Sequence, residues 1–389
     1  MITSPFRSFW QAGYECADLV NRAGDRVDFL AITGHAERVD QDYAALLPFG
    51  ITTVREGIHW SRVERQPGVY DWREVVRRIE AGRHYEIQQI WDICHFGFPV
   101  DLIPAHPRFA ERFAAVCKAF ARLWRTLTDA PLIFTPVNEI SYLSWYGGEA
   151  GGTLPYGSGQ SYGIKANLVR AALAGIEAVW EVDSSARVLH TEPLIHIVAP
   201  ADRPDLTGEA AESSDGQFQA LDMLGGYIAP ELGGNPSYLD LLGFNFYHNN
   251  QWVYEQDRLH WEAPRDPRWT PLAQLLATAY RRYNRPICLS ETSHLGQGRS
   301  DWIMYVANEV RDAIDMGVDF HGVCLYPIID RPNWDHLGQY HHAGLWDLAL
   351  SGPDPLARLL CESYAAALRD AQDLLRSYTP QAQSAELLV

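Results

Sequence analysis

The chain has no paired cysteines. Its six, at positions 16, 94, 117, 288, 324 and 361, form no C-x-x-C and no zinc-finger spacing, which argues against a disulfide framework or a structural zinc site. They read as small buried hydrophobes in a reducing compartment. No apolar run approaches the roughly 18 residues that span a bilayer, and the opening MITSPFRSFW lacks the apolar stretch of a secretory signal. A soluble, cytoplasmic protein with no membrane partner is therefore expected. Positive charge is scarce: 32 Lys+Arg stand against 49 Asp+Glu, a balance of −17. That balance repels nucleic acid and anionic lipid at long range, so no nucleic-acid partner is expected. No G-x-G-x-x-G follows the first strand-like segment, which counts against an open nucleotide-binding sheet. No H-x-H opens the chain, and no tight His/Asp set marks the strand ends, so neither a metal nor a cofactor is expected.

The chain does have order along its whole length. Short apolar runs lie at 9–18, 51–60, 86–94, 132–139, 186–194, 239–247, 285–291 and 322–330, each fit for a strand buried on both faces. Amphipathic helical stretches lie between them, clearest at 108–127, 164–182, 301–317 and 355–375. In the second, Leu168, Ala171, Ala172, Gly175, Ile176 and Val179 fall on one stripe. Eight strand–helix units predict an α/β protein, a (β/α)8 TIM barrel in one catalytic domain over 1–378. Two insertions interrupt the pattern. The Gly-, Trp- and Tyr-rich 142–163 suits a binding rim, whereas the acidic, Pro/Ser-rich 200–217 reads as a mobile solvent loop. The tail, 379–389, is expected to fray.

Barrels build their sites from polar residues at the C-terminal ends of strands. Those ends supply Glu15, Arg55, His95, Asn138, Glu139, Tyr247, Glu291 and Asp330. Glu139 and Glu291, far apart in the chain, end the fourth and seventh strands, so only a closed barrel brings them face to face. Two opposed carboxylates are what glycosidic cleavage needs: one protonates the departing oxygen, and the other attacks the anomeric carbon or activates water. Chain-wide aromatics agree. The 13 Trp and 19 Tyr suit both core packing and a surface that stacks on sugars.

TPVNEIS (135–141) and CLSETSHLG (288–296) resemble the acid/base and nucleophile strands of the retaining (β/α)8 glycosidases, more narrowly family 1, the β-glucosidase family. REGIHWSRVERQPGVYDW (55–72), DICHFGFPVDL (92–102), LDLLGFNFYHNN (239–250) and YPIIDRPNW (326–334) are similar to further segments of that family, in the same order. The resemblance implies Glu139 as acid/base and Glu291 as nucleophile. It implies that Arg55 and Tyr247 support the nucleophile, that Asn138 bonds the sugar 2-hydroxyl, that His95 bonds a second hydroxyl and that Trp334 stacks beneath the ring. Each also has a plain structural reading: Arg55 as an ion pair, His95 as a satisfied interior histidine, Trp334 as loop packing.

Three positions depart from the family. Glu15 stands in place of a Gln, Asn333 in place of a Glu, and Tyr326 in place of a Trp. The first two family residues grip the hydroxyls farthest from the scissile bond, so the departures bear on sugar preference. The resulting expectation is a retaining glycosidase acting on a small, neutral, β-linked glycoside. An endo-acting glucanase of the same clan, a transglycosylase and a catalytically silent carbohydrate-binding barrel are the other readings.

Overall fold

Eight parallel strands close into a ring in the computed structural model, which describes residues 4–378. The expected frayed tail lies outside those residues. In chain order the strands are β1 (Trp10–Gly13), β2 (Thr53–Gly57), β3 (Gln88–Cys94), β4 (Ile133–Val137), β5 (Arg187–Pro193), β6 (Leu241–Asn245), β7 (Ile287–Thr292) and β8 (Phe320–Leu325). β1 closes the ring by pairing with β8 through Trp10↔Val323 and with β2 through Gly13↔Arg55. Six of the expected segments contain a strand whole, while 285–291 stops one residue short of the end of β7 and 322–330 begins two residues after the start of β8; the fold is the (β/α)8 barrel.

The strands form where they do because both faces are buried, which favours near-continuous apolar runs. Inside the ring, polarity changes along the strand direction. Near the strand starts Ile90, Ile133, Leu189, Leu241 and Cys288 pack with Phe6 as a separate apolar layer. Two residues further along β3, β5 and β7, on the same face by the period of a strand, stand Asp92, Thr191 and Ser290; on β6 Asn245 stands four along. All four are buried. The apolar layer closes one end, and the polar layer opens toward the loops.

β7 departs from even pairing. Leu289 pairs with Phe244 but Glu291 pairs with the very next residue, Asn245, so one extra residue is inserted on β7. A bulge of this kind re-aims the side chain that follows it. Here it turns Glu291 toward the interior directly after Ser290.

The long helices Phe109–Leu127, Ser161–Trp180 and Arg299–Asp315 match their expected spans to within a few residues. The first two pack closely: a Cβ on Gly175 would meet the Phe113 ring at 2.8 Å and Cys117 Sγ at 2.9 Å. The last helix starts later than its sequence suggests, running Glu362–Leu375. Residues 358–360 form a short strand against Trp346–Leu348 instead, with Arg358 bound to both oxygens of buried Asp42 at 2.7 Å. The two insertions are also more ordered than their composition implies. Ile140–Gly148 is a helix that takes in the start of 142–163, and Thr207–Asp215 is a helix within 200–217, anchored by buried Ala210. No helix among the described residues is long and apolar enough to cross a membrane.

Candidate active site

Arg55 occupies the centre of the polar layer and is fully buried. Its Nε donates to Asp92 Oδ1 at 3.0 Å and its Nη2 lies 2.7 Å from Asp92 Oδ2. Nη1 donates to Glu291 Oε1 at 2.7 Å and to the Ser290 carbonyl at 3.2 Å, and Nη2 donates to Asn138 Oδ1 at 2.7 Å. One planar fork thus ties together β2, β3, β4 and β7, a geometry that a lysine cannot reproduce. Burial works against the guanidinium charge, but Asp92 and Glu291 overcome it and hold Arg55 well above its usual range.

The two carboxylates sit in unlike surroundings. Glu291 accepts from Arg55 on one oxygen and from the Tyr247 hydroxyl on the other, at 2.7 Å. Glu139 accepts at 2.9 Å from Asn245 Nδ2, whose Oδ1 in turn takes the Ser290 hydroxyl at 2.6 Å. Burial, and then the charge on Glu291, push the Glu139 carboxyl well above the ordinary range. The Asn245 hydrogen bond opposes that rise and Glu192 adds to it. Glu139 also has a left-handed backbone, φ 46°, immediately before the helix Ile140–Gly148, a conformation that costs energy in a non-glycine residue.

Asn138 and His95 complete the inner wall. Asn138 Oδ1 accepts from Arg55 and from the Thr191 hydroxyl (2.8 Å), while its Nδ2 faces His95 Nε2 at 3.0 Å. His95 Nδ1 lies 2.8 Å from Asp92 Oδ2. With the Asn138 oxygen taken by Arg55 and Thr191, its Nδ2 donates to His95 Nε2, and Nδ1 then donates to Asp92. Both His95 nitrogens therefore have protein partners, and Asn138 keeps one amide hydrogen to spare.

The far wall carries the departures noted in the sequence. Glu15 is 5% exposed, with Oε1 accepting from Tyr326 Oη and from the Ala17 amide, each at 3.1 Å, and Oε2 3.1 Å from Arg331 Nε. Burial alone would raise its pKa; Arg331 first, and these hydrogen bonds, bring it below the ordinary range. Asn333 spends its Oδ1 on the backbone N–H groups of Asp335 and His336, a turn-forming role. Trp334 stacks with Tyr142 and Tyr146, meets Phe96 edge-on and lies under Arg331. Trp145, on the same short helix, is 49% exposed at the rim.

All eleven residues singled out from the sequence lie in the barrel's polar layer or in the loops that follow the strands, Asp330 in the loop after β8. Five more belong with them. Asp92 and Asn245 are legible in principle from strand parity. Glu192 stands one residue before the end of β5, close to the strand-end position that drew attention to Glu139. Arg331 and Cys16 lie in loops, and nothing local marks them.

Among the described residues, two groups bring three potential metal-donor side chains within 4.8 Å: Cys16, Asp92 and His95, and Asp330, His342 and Asp347. Asp92 is already bound by Arg55 and His95, and Asp347 by Arg299 at 2.8 Å. A permanent cation beside each group counts against a second one.

No protein-family model matches the chain, and no curated protein matches it. Solved structures do match its fold. A β-glucosidase from Thermotoga maritima in complex with glucoimidazole superposes with a TM-score of 0.76 at 15% identity, covering 96% of this chain and 99% of that one. A family 1 β-glucosidase from Thermotoga maritima gives 0.73 at 14% identity, over 98% and 100%. The virulence factor SghA with its substrate analog salicin gives 0.76 at 17% identity, over 93% and 95%. At such identities the likeness is one of fold.

Proposed function

We propose that this chain is a retaining β-glycosidase for small neutral glycosides, with Glu139 as acid/base and Glu291 as nucleophile. The observation that carries this reading is the unlike setting of the two carboxylates. Glu139 is partly buried beside a second carboxylate and holds its proton beyond the ordinary range, as a general acid must. Glu291 accepts hydrogen bonds from a cation and a phenol, which leaves an oriented lone pair to attack with.

In the first step a Glu291 oxygen bonds to the anomeric carbon while Glu139 gives its proton to the glycosidic oxygen. The carbon–oxygen bond to the aglycone breaks, and the alcohol leaves. In the second step Glu139, now a carboxylate, takes a proton from water as that water attacks the anomeric carbon. The ester bond breaks, Glu291 regains its charge and Glu139 its proton. Arg55 stays neutralised by Asp92 while Glu291 is esterified, so the charge network survives both steps. The spare amide hydrogen of Asn138 is left to donate to a sugar hydroxyl, a contact that strengthens as positive charge develops on the ring. Tyr142, Trp145 and Trp334 supply the aromatic side.

The reading is tested with a panel of aryl β-glycosides, wild type against Glu139→Ala. Hydrolysis by the wild type, slowed in the variant most for poor leaving groups, is expected. Binding without turnover on every sugar would point to a silent carbohydrate-binding barrel instead.

A further inference from the structure

A third carboxylate stands behind Glu139 with no part in the two-carboxylate scheme. Glu192, the last residue but one of β5, is 2% exposed. Its carboxyl oxygens accept the Ser141 backbone N–H at 3.1 and 3.4 Å. The preceding residue, Thr191, accepts the Glu139 backbone N–H on its carbonyl at 2.9 Å. Two successive residues of β5 therefore hold the chain on both sides of Glu139, where the backbone is left-handed and a non-glycine residue needs outside support.

Charge belongs to the same arrangement. Facing Glu192 are Glu139 and Lys165, the latter mostly buried on the helix Ser161–Trp180 with Nζ donating to Gln219 Oε1 at 2.8 Å. Facing Glu139 are Glu291 on β7, Arg55 on β2, Tyr247 after β6, and Tyr142 on its own helix. Burial raises Glu192 to about 7, against the pull of the Ser141 hydrogen bond and Lys165. It therefore changes charge close to neutrality, beside the group whose proton the reaction needs.

We propose that Glu192 is a positioning residue for Glu139: it fastens the turn that aims the acid, and its charge sets the pH at which that acid loses its proton. The proposal rests on the reading of Glu139 as acid/base. As pH rises through neutrality Glu192 ionises, and the new negative charge makes it harder for Glu139 to ionise in turn. The protonated, competent form of Glu139 then survives to higher pH.

Glu192→Gln and Glu192→Ala separate the two roles. Gln keeps an acceptor for Ser141 but carries no charge. The alkaline limb of its kcat/KM profile is expected to fall by about half a pH unit or more, with kcat on the plateau within a few-fold of wild type. Ala also loses the acceptor, so its kcat is expected to drop about tenfold or more with KM little changed. Carboxyl 13C NMR titration of Glu-labelled protein reads the coupling without substrate: the Glu139 resonance, assigned by its loss in Glu139→Gln, should titrate at lower pH in Glu192→Gln. An unmoved Glu139 titration in folded Glu192→Gln overturns the proposal, as does an unmoved alkaline limb. If the wild type hydrolyses no glycoside, the glycosidase reading fails on its own while the NMR titration still decides the coupling.

Discussion

Arg55 Nη1 lies 2.7 Å from Glu291 Oε1, on a guanidinium whose Nε and Nη2 are bound to Asp92 and Asn138. The cation beside the proposed nucleophile is thus a brace across four strands as well as a charge. Arg55→Met would leave Asp92 and Glu291 buried without compensation. A loss of about 3 kcal/mol or more in unfolding free energy is expected, with activity down about a hundredfold or more. Arg55→Lys keeps the charge and loses the fork, so its stability should fall between the two. Denaturant unfolding and aryl-glycoside kinetics check both; equal stability of Lys and Arg at this position would contradict the bracing role.

The raised Glu139 makes a second prediction, with a definite sign. A carboxyl whose pKa is higher folded than unfolded stabilises the fold at low pH, and that contribution is lost as pH rises through the folded value. Glu139→Gln keeps the shape and an acceptor for Asn245 but has no charge to bury. Relative to wild type it is expected to gain thermal stability as pH climbs above the ordinary carboxylate range, and to gain nothing at acid pH. Melting curves from acid to alkaline pH read this directly.

Gly13 makes a third. A Cβ there would meet the Tyr326 ring at 2.0 Å, and Tyr326 donates to Glu15. Gly13→Val should displace Tyr326 from the far wall and cost about 1–3 kcal/mol. Unfolding curves measure the cost, and an unchanged stability would show that the ring has room to move.

The Glu15–Arg331 pair concerns which sugar is taken. Both Glu15 oxygens are engaged by protein, so the far end of the pocket presents a closed ion pair. Glu15→Gln is expected to shift the ratio of kcat/KM between two sugars by about tenfold, roughly 1.4 kcal/mol, in favour of glucosides. The alkaline limb, which the proposed function assigns to Glu139, should stay in place. Unaltered ratios across the panel would remove Glu15 from specificity.

Much of this was legible in the sequence, for physical reasons. The barrel strands are buried on both faces and read as unbroken apolar runs. Glu139 and Glu291 stand at the ends of two such runs. What stayed hidden depends on relations with no local signal. The β7 bulge that turns Glu291 inward exists only against β6, in the shift from Leu289↔Phe244 to Glu291↔Asn245. Arg331 meets Glu15 from the opposite end of the chain. The helix Thr207–Asp215 is hidden by its own acidic and serine residues, and its one buried residue, Ala210, gives no apolar stripe to read.

The central claim is that Glu291 bonds to the sugar while Glu139 moves the proton. Incubating the protein with an activated 2-deoxy-2-fluoro glycoside of its best sugar, then sequencing the labelled peptide by mass spectrometry, tests it most directly. The account predicts one fluorosugar ester per chain, on Glu291 and absent from Glu291→Gln. Label on any other residue, or turnover of this substrate with no ester at all, would contradict it.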